Sequence, residues 1–165
     1  MMVTTMTKEE AAGDFGRTVL EMIAALERRK GATLSIEQKI LLAETGTVEQ
    51  VLSILTGSAV KVKVVRQTLA DSVIRREVII SSAASGRLLV RARSKVYCKV
   101  LPAEIVNKLM QEKRGIGTII HNAGLETCRR LVRFGLGPGK HHPYRVYRIM
   151  HKGKTAFEIR EDILI

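Results

Sequence analysis

Two charged residues fall where apolar ones belong. In the stretch Ile74 to Cys98, IRREVIISSAASGRLLVRARSKVYC, two alternating runs flank a small-residue turn at Ser85 and Gly86, which predicts a β-hairpin. Alternate side chains of a strand share a face, so Leu88, Val90, Ala92, Ser94, Val96 and Cys98 point one way and Arg87, Arg91, Arg93 and Lys95 the other. In the first strand the same parity groups Arg76 with Ile74, Val78 and Ile80. Near the carboxyl end it groups Glu161 with Phe157, Ile159 and Ile163. A charge aimed at the apolar side must be paired or must meet a ligand. Two explanations stand. One is a buried Arg76–Glu161 salt bridge that fixes strand register and adds little stability. The other is a pocket in which Arg76 binds a substrate carboxylate bidentately while Glu161 handles a proton or a hydroxyl. Parity alone leaves both open.

The elements that must position these residues follow from local signals. Thr7 with Glu10 fits a capping box, and Phe15, Val19, Leu20, Met22, Ile23 and Leu26 then fall at helical spacing up to Lys30 and Gly31. In LSIEQKILLAETGTVEQVLSILTG, Ser35 with Gln38 and Thr47 with Gln50 make two further boxes, giving two short helices broken at Gly46. The amide end of the second, at Thr47 and Val48, is a candidate anion contact. Ala59 to Thr68 alternates as a strand, and Pro102 opens a helix to about Lys113 with Ile105, Val106 and Leu109 as its apolar stripe. Gly115 and Gly117 bracket Ile116 in a glycine-rich turn whose amides could approach a ligand closely. Strands are predicted from Glu126 to Phe134, Tyr144 to Met150 and Thr155 to Leu164, the loop GLGPGKHHP joining the first two. Three strands followed by three strands, with helices at the front and in the middle, predict an α+β domain with one mainly antiparallel sheet. No repeat or low-complexity linker divides residues 1–165, so a single domain is expected.

Composition narrows the function. At 165 residues and 45% apolar content the chain can bury a core. No apolar run reaches the ~18 residues of a membrane span, and the amino terminus lacks the pattern of a secretory signal, so the cytoplasm is the expected compartment. The net charge of +12 admits a nucleic-acid surface or a field that draws in a small anion. With three Phe, three Tyr and no Trp there are few platforms for stacking bases, and the cations are spread along strands, which counts against nucleic acid; a merely soluble cationic surface fits the charge at least as well as either partner.

Other motifs carry less. GLGPGKHHP lacks the Ser or Thr that a phosphate loop needs after its lysine, since His141 follows Lys140. The adjacent His141 and His142 cannot both face one metal, and no nearby ligand completes a set. Cys98 and Cys128, in separate predicted strands, have no histidine partner and read as buried small hydrophobes.

Taken together, LSIEQKILLAETGTVEQVL, RREVIISSAASGRLLVRARS, EKRGIGTII with the strand beginning ETCRRL, and KTAFEIREDIL resemble the chorismate lyase family, especially its small archaeal-type branch, in order and spacing from Leu34 to the carboxyl end. The resemblance implies a six-stranded antiparallel sheet with flanking helices and a buried pocket under helical flaps. It implies a carbon–oxygen lyase that converts chorismate to 4-hydroxybenzoate and pyruvate with no metal, flavin or nicotinamide. The family's substrate arginine, followed by a glutamate, matches Arg76 before Glu77, and its catalytic glutamate matches Glu161. Its backbone-contact position in the glycine-rich turn matches Ile116, its flap residue matches Val48, where better-known members carry methionine, and its third-strand glycine falls on Ala92. Both departures bear on the ring substituents accepted. The same sheet also resembles the effector-binding domain of GntR-type regulators, which makes a non-catalytic sensor of aromatic acids the alternative, with a basic nucleic-acid binder behind it.

Overall fold

A computed structural model of the protein describes residues 15–111 and 113–165. The expected capping box at Thr7 and Glu10 lies outside these residues. Helix α1 (Phe15–Lys30) buries Val19, Ile23 and Leu26 and ends where Gly31 turns to a φ of 60°. Leu20, grouped with that stripe by spacing, instead stands 67% exposed. Helix α2 (Ile36–Ala43) has the reciprocal box: Ser35 Oγ accepts from the Gln38 amide at 3.1 Å, and Gln38 Oε1 accepts from the Ser35 amide at 3.0 Å. Helix α3 (Val48–Thr56) does not, because the Thr47 side chain makes no capping bond.

Strands β1 (Val60–Ala70), β2 (Val73–Ser82), β3 (Leu88–Tyr97), β4 (Cys128–Leu136), β5 (Pro143–His151) and β6 (Lys154–Ile163) form one sheet in the order β1-β2-β3-β6-β5-β4, every pair antiparallel. Between β3 and β4 run α4 (Ala103–Gln111), which starts just after Pro102, and α5 (Ile116–Asn122). The second of these corrects the expectation of a bare turn: Gly115 opens a short helix that buries Ile119 and Ile120. Cys98 begins a single helical turn (Cys98–Val100) rather than lying in a strand and is half-buried, and Cys128 is exposed, so neither cysteine is the buried hydrophobe expected.

Strand parity creates two faces. On the inner face, Ile80, Val90 and Ile163 pack with Leu41, Leu42 and Leu52 under α1 to α3. Farther along the strands, Ile74, Val96, Phe157 and Ile149 pack with Leu109 and Ile119 under α4 and α5. Between these apolar clusters the same face carries buried Arg76, Ser94, Arg145 and Glu161. The outer face is open, with Arg75, Arg91, Arg93 and Lys95 exposed.

The two helix starts make a paired prediction. Replacing Ser35 by Ala should cost about 1 kcal/mol in equilibrium denaturation because a working cap is lost, whereas Thr47→Ala should change stability by well under half that. Equal losses would contradict the capping geometry.

Candidate active site

The polar residues of the inner face border a cavity floored by the sheet and roofed by two helix starts. Val78, Ala92, Ile149 and Ile159 supply apolar floor. The start of α3 (Thr47, Val48, Glu49) and the start of α5 (Gly115, Ile116, Gly117) supply the roof. The roof segments meet: Thr118 Oγ1 donates to Glu49 Oε2 at 2.6 Å. A Cβ added to Gly115 would lie 1.8 Å from Glu49 Oε1, so any larger residue there would have to displace the end of the Glu49 side chain. The cavity volume is about 50 Å³, well below the ~300–1,000 Å³ usual for small-molecule sites, so the two flaps must part to admit a ring.

Glu161 lines this cavity and is 3% exposed. Its charge is held from two sides: Arg145 Nε lies 2.7 Å from Oε2, and the Tyr147 hydroxyl donates to Oε1 at 2.8 Å. Arg145 is itself buried and spends its other nitrogens on Glu44, donating to the backbone carbonyl and, at 2.7 Å, to Oε2. Burial works against the Arg145 cation, but Glu161, Tyr147 and Glu44 outweigh it and its pKa rises. Burial also pushes the Tyr147 phenol well above its ordinary pKa, with Glu161 adding to the shift, so the hydroxyl stays protonated as a donor. Arg129 completes the wall, its guanidinium 5.4 Å from the Tyr147 ring centre and 3.6 Å from Glu44 Oε1. Its Nη1 has no hydrogen-bond partner among the described residues.

Arg76 is placed differently. It is 3% exposed and lies behind the lining, where its strand neighbour Val78 and its cross-strand partner Ser94 form cavity wall. One terminal nitrogen donates to the carbonyl of Arg114, next to Gly115 at the cavity's edge. Nε and Nη1 are buried with no hydrogen-bond partner among the described residues. Burial lowers the pKa of Arg76, and the charge of Glu49 opposes this only in part.

These positions correct one of the two explanations offered by parity. Arg76 and Glu161 both face inward, but no salt bridge joins them; the register sets Arg76 across from Ser94 and Glu161 across from Ala92 and Arg145. Val48 and Ile116 both reach the cavity from the roof, and the Ala92 methyl forms part of its floor. Sequence reasoning missed Arg145, Tyr147, Arg129, Glu44 and Glu49. The parity argument applied to β5 finds the first two, since Arg145 and Tyr147 alternate with outward residues toward buried Ile149. Glu44 and Glu49 have no such signal, because they enter from a loop and a helix start.

No protein-family model matches the chain. A Mycobacterium tuberculosis protein named "Chorismate pyruvate-lyase" is 26% identical over 161 residues, covering 79% of this chain and 81% of that one. Among solved structures, the "possible transcriptional regulator YydK" of Bacillus subtilis superposes with a TM-score of 0.46 at 14% identity, over 91% of this chain and 94% of that one. A Methanocaldococcus jannaschii protein described as a "putative lyase" is 31% identical over 142 residues, covering 76% of each chain. At that identity and coverage, the chain belongs to the family of the Methanocaldococcus protein.

Proposed function

We propose that this protein is a chorismate pyruvate-lyase, releasing pyruvate and 4-hydroxybenzoate. One observation carries the reading: a buried guanidinium, Arg76, has two nitrogens with no hydrogen-bond partner among the described residues, and it lies behind the lining of an apolar cavity that a buried carboxylate, Glu161, also lines. Leaving a buried charged donor unbonded costs more than most side-chain contacts repay, and a ring carboxylate would satisfy it. The mycobacterial relative named for this reaction supports the same reading.

In this arrangement Arg76 holds the ring carboxylate of chorismate, and Glu161 accepts a hydrogen bond from the hydroxyl that becomes the phenol. Glu161 has the capacity, because each carboxylate oxygen takes a second bond beyond those from Arg145 and Tyr147. Backbone groups at Val48 and Ile116 close over the ring. Arg129 receives the second carboxylate, on the enolpyruvyl ether beside that hydroxyl, since it lines the cavity next to Tyr147. Hydrogen passes from the carbinol carbon to the enolpyruvyl methylene as the ring carbon–oxygen bond breaks. The ether oxygen becomes the ketone of pyruvate, and the ring gains its third double bond. Atoms balance with no external acid or oxidant. The protein's contribution is to hold the reactive conformer in a closed apolar space.

Two outcomes test the proposal. Incubation with chorismate should yield pyruvate and 4-hydroxybenzoate in equal amounts, and Arg76→Ala should lower kcat/KM and product affinity by about 100-fold or more without lowering Tm. Binding of 4-hydroxybenzoate with no pyruvate formed would leave a sensor, and unchanged product affinity in the Arg76 variant would remove the assigned anchor. Arg129→Ala should raise KM for chorismate by about tenfold or more yet leave the Kd of 4-hydroxybenzoate, which lacks the second carboxylate, within about threefold. Equal losses for both ligands would assign Arg129 to structure alone.

A further inference from the structure

The cations that look scattered in sequence collect on one surface, and it is not the surface that holds the cavity. Strand β1 presents Lys61, Lys63 and Arg66 to the open face of the sheet, β2 presents Arg75, and β3 presents Arg91, Arg93 and Lys95, all exposed. The face continues through Arg160 of β6 and Arg148 of β5 to Arg130 and Arg133 of β4. Against them stand the carboxylates of Glu77, Glu158 and Asp162. Two of those are already shared: Asp162 lies 3.4 Å from Arg93 and 2.8 Å from Arg160, and Glu158 lies 3.7 Å from Lys95 and 3.5 Å from Arg148. Lys61, Lys63, Arg66, Arg75, Arg91 and Arg133 take part in no ion pair among the described residues.

The register makes the excess costly. Arg75 sits directly across from Lys95, Arg93 across from Arg160, and Arg130 across from Arg148. Like charges in directly opposed cross-strand positions destabilise a sheet, and here the arrangement recurs on three different strand pairs. Steering a small anion does not account for it, because the field of these exposed groups is screened within ~8 Å at physiological salt and the cavity lies beyond the sheet.

We infer that the open face of the sheet docks a duplex nucleic acid through its phosphates. A polyanion relieves all three opposed pairs at once, and arginines, which predominate here, match phosphate with their planar fork. The face offers little for reading bases or entering a lipid bilayer. Its aromatic residues are Tyr97 and Tyr144, the latter already covered by Arg160 at 3.8 Å; of the exposed large apolar residues, Leu20, Ile36 and Ile54 belong to helices, and Val65, Leu69 and Val132 are confined to the edge strands β1 and β4. Binding is therefore independent of sequence and dominated by counterion release.

The test uses the full chain and a fluorescent 20-base-pair DNA duplex of arbitrary sequence, followed by anisotropy from 50 to 200 mM salt. Wild type should bind with a log–log salt slope of about −4 or steeper, as four or more phosphate contacts require. The double variant Arg75→Glu, Arg130→Glu should bind at least about tenfold more weakly with a slope shallower by about 2. Because each new carboxylate faces a cation, Lys95 or Arg148, the Tm of the variant should hold or rise, which separates lost docking from lost folding. Absence of saturable duplex binding, equal binding by the variant, or preference for phosphatidylglycerol vesicles over the duplex would each overturn the assignment. None of these outcomes depends on whether the cavity turns over chorismate.

Discussion

Everything in the inner half of the molecule is arranged around a carboxylate buried in the middle of an apolar sheet face. An isolated Glu161 there would be prohibitively expensive to ionise. The chain meets that cost with Arg145, one strand over, and with the Tyr147 hydroxyl from the same strand as Arg145. Arg145 in turn needs more than one partner, and Glu44 closes it off from the segment between α2 and α3. One buried charge thereby fixes β6 against β5 and pulls the α3 start over the cavity. The roof flap and the floor are parts of a single electrostatic solution.

Arg76 is the contrast that gives this arrangement meaning. Glu161 and Arg145 satisfy each other within the protein, whereas Arg76, also buried, is bonded among the described residues only to the Arg114 carbonyl. Glu49 acts on it across space but is itself bonded to Thr118. A structural salt bridge would have used both halves of such a pair. The sheet instead keeps a complete network at one side of the cavity and, at the other, a guanidinium with donors to spare among the described residues. The open face repeats the logic at the surface, with opposed cations that no side chain fully compensates.

How much of this was legible beforehand depends on the periodicity involved. Strand parity is exact, so the inward turn of Arg76 and Glu161 could be read from alternation, as could the hairpin from Ile74 to Cys98. Parity names a face but no partner, which is why Arg76 and Glu161 could be imagined as a pair until the register set each across from other residues. Helix starts were read less well. Ser35 and Thr47 carry the same motif, yet only Ser35 forms the box, because Thr47 sits where two flaps touch and its methyl lies by Gly117. Helix α5 escaped notice because it is short and opens at two glycines, a pattern that spells turn on propensity grounds. The basic face was invisible in sequence for a different reason: its residues come from six separate strands, and only the β1-β2-β3-β6-β5-β4 order brings them together.

The central claim is that a ligand's carboxylate pairs with Arg76, whose Nε and Nη1 have no partner among the described residues, and it is tested most directly by calorimetric titration of the wild-type protein with 4-hydroxybenzoate and, separately, with its methyl ester. The two differ by one methyl group and one negative charge. The acid should bind at least about 100-fold more tightly than the ester, as expected when a buried cation gains a charged partner. Equal affinities, or a preference for the ester, would contradict the account.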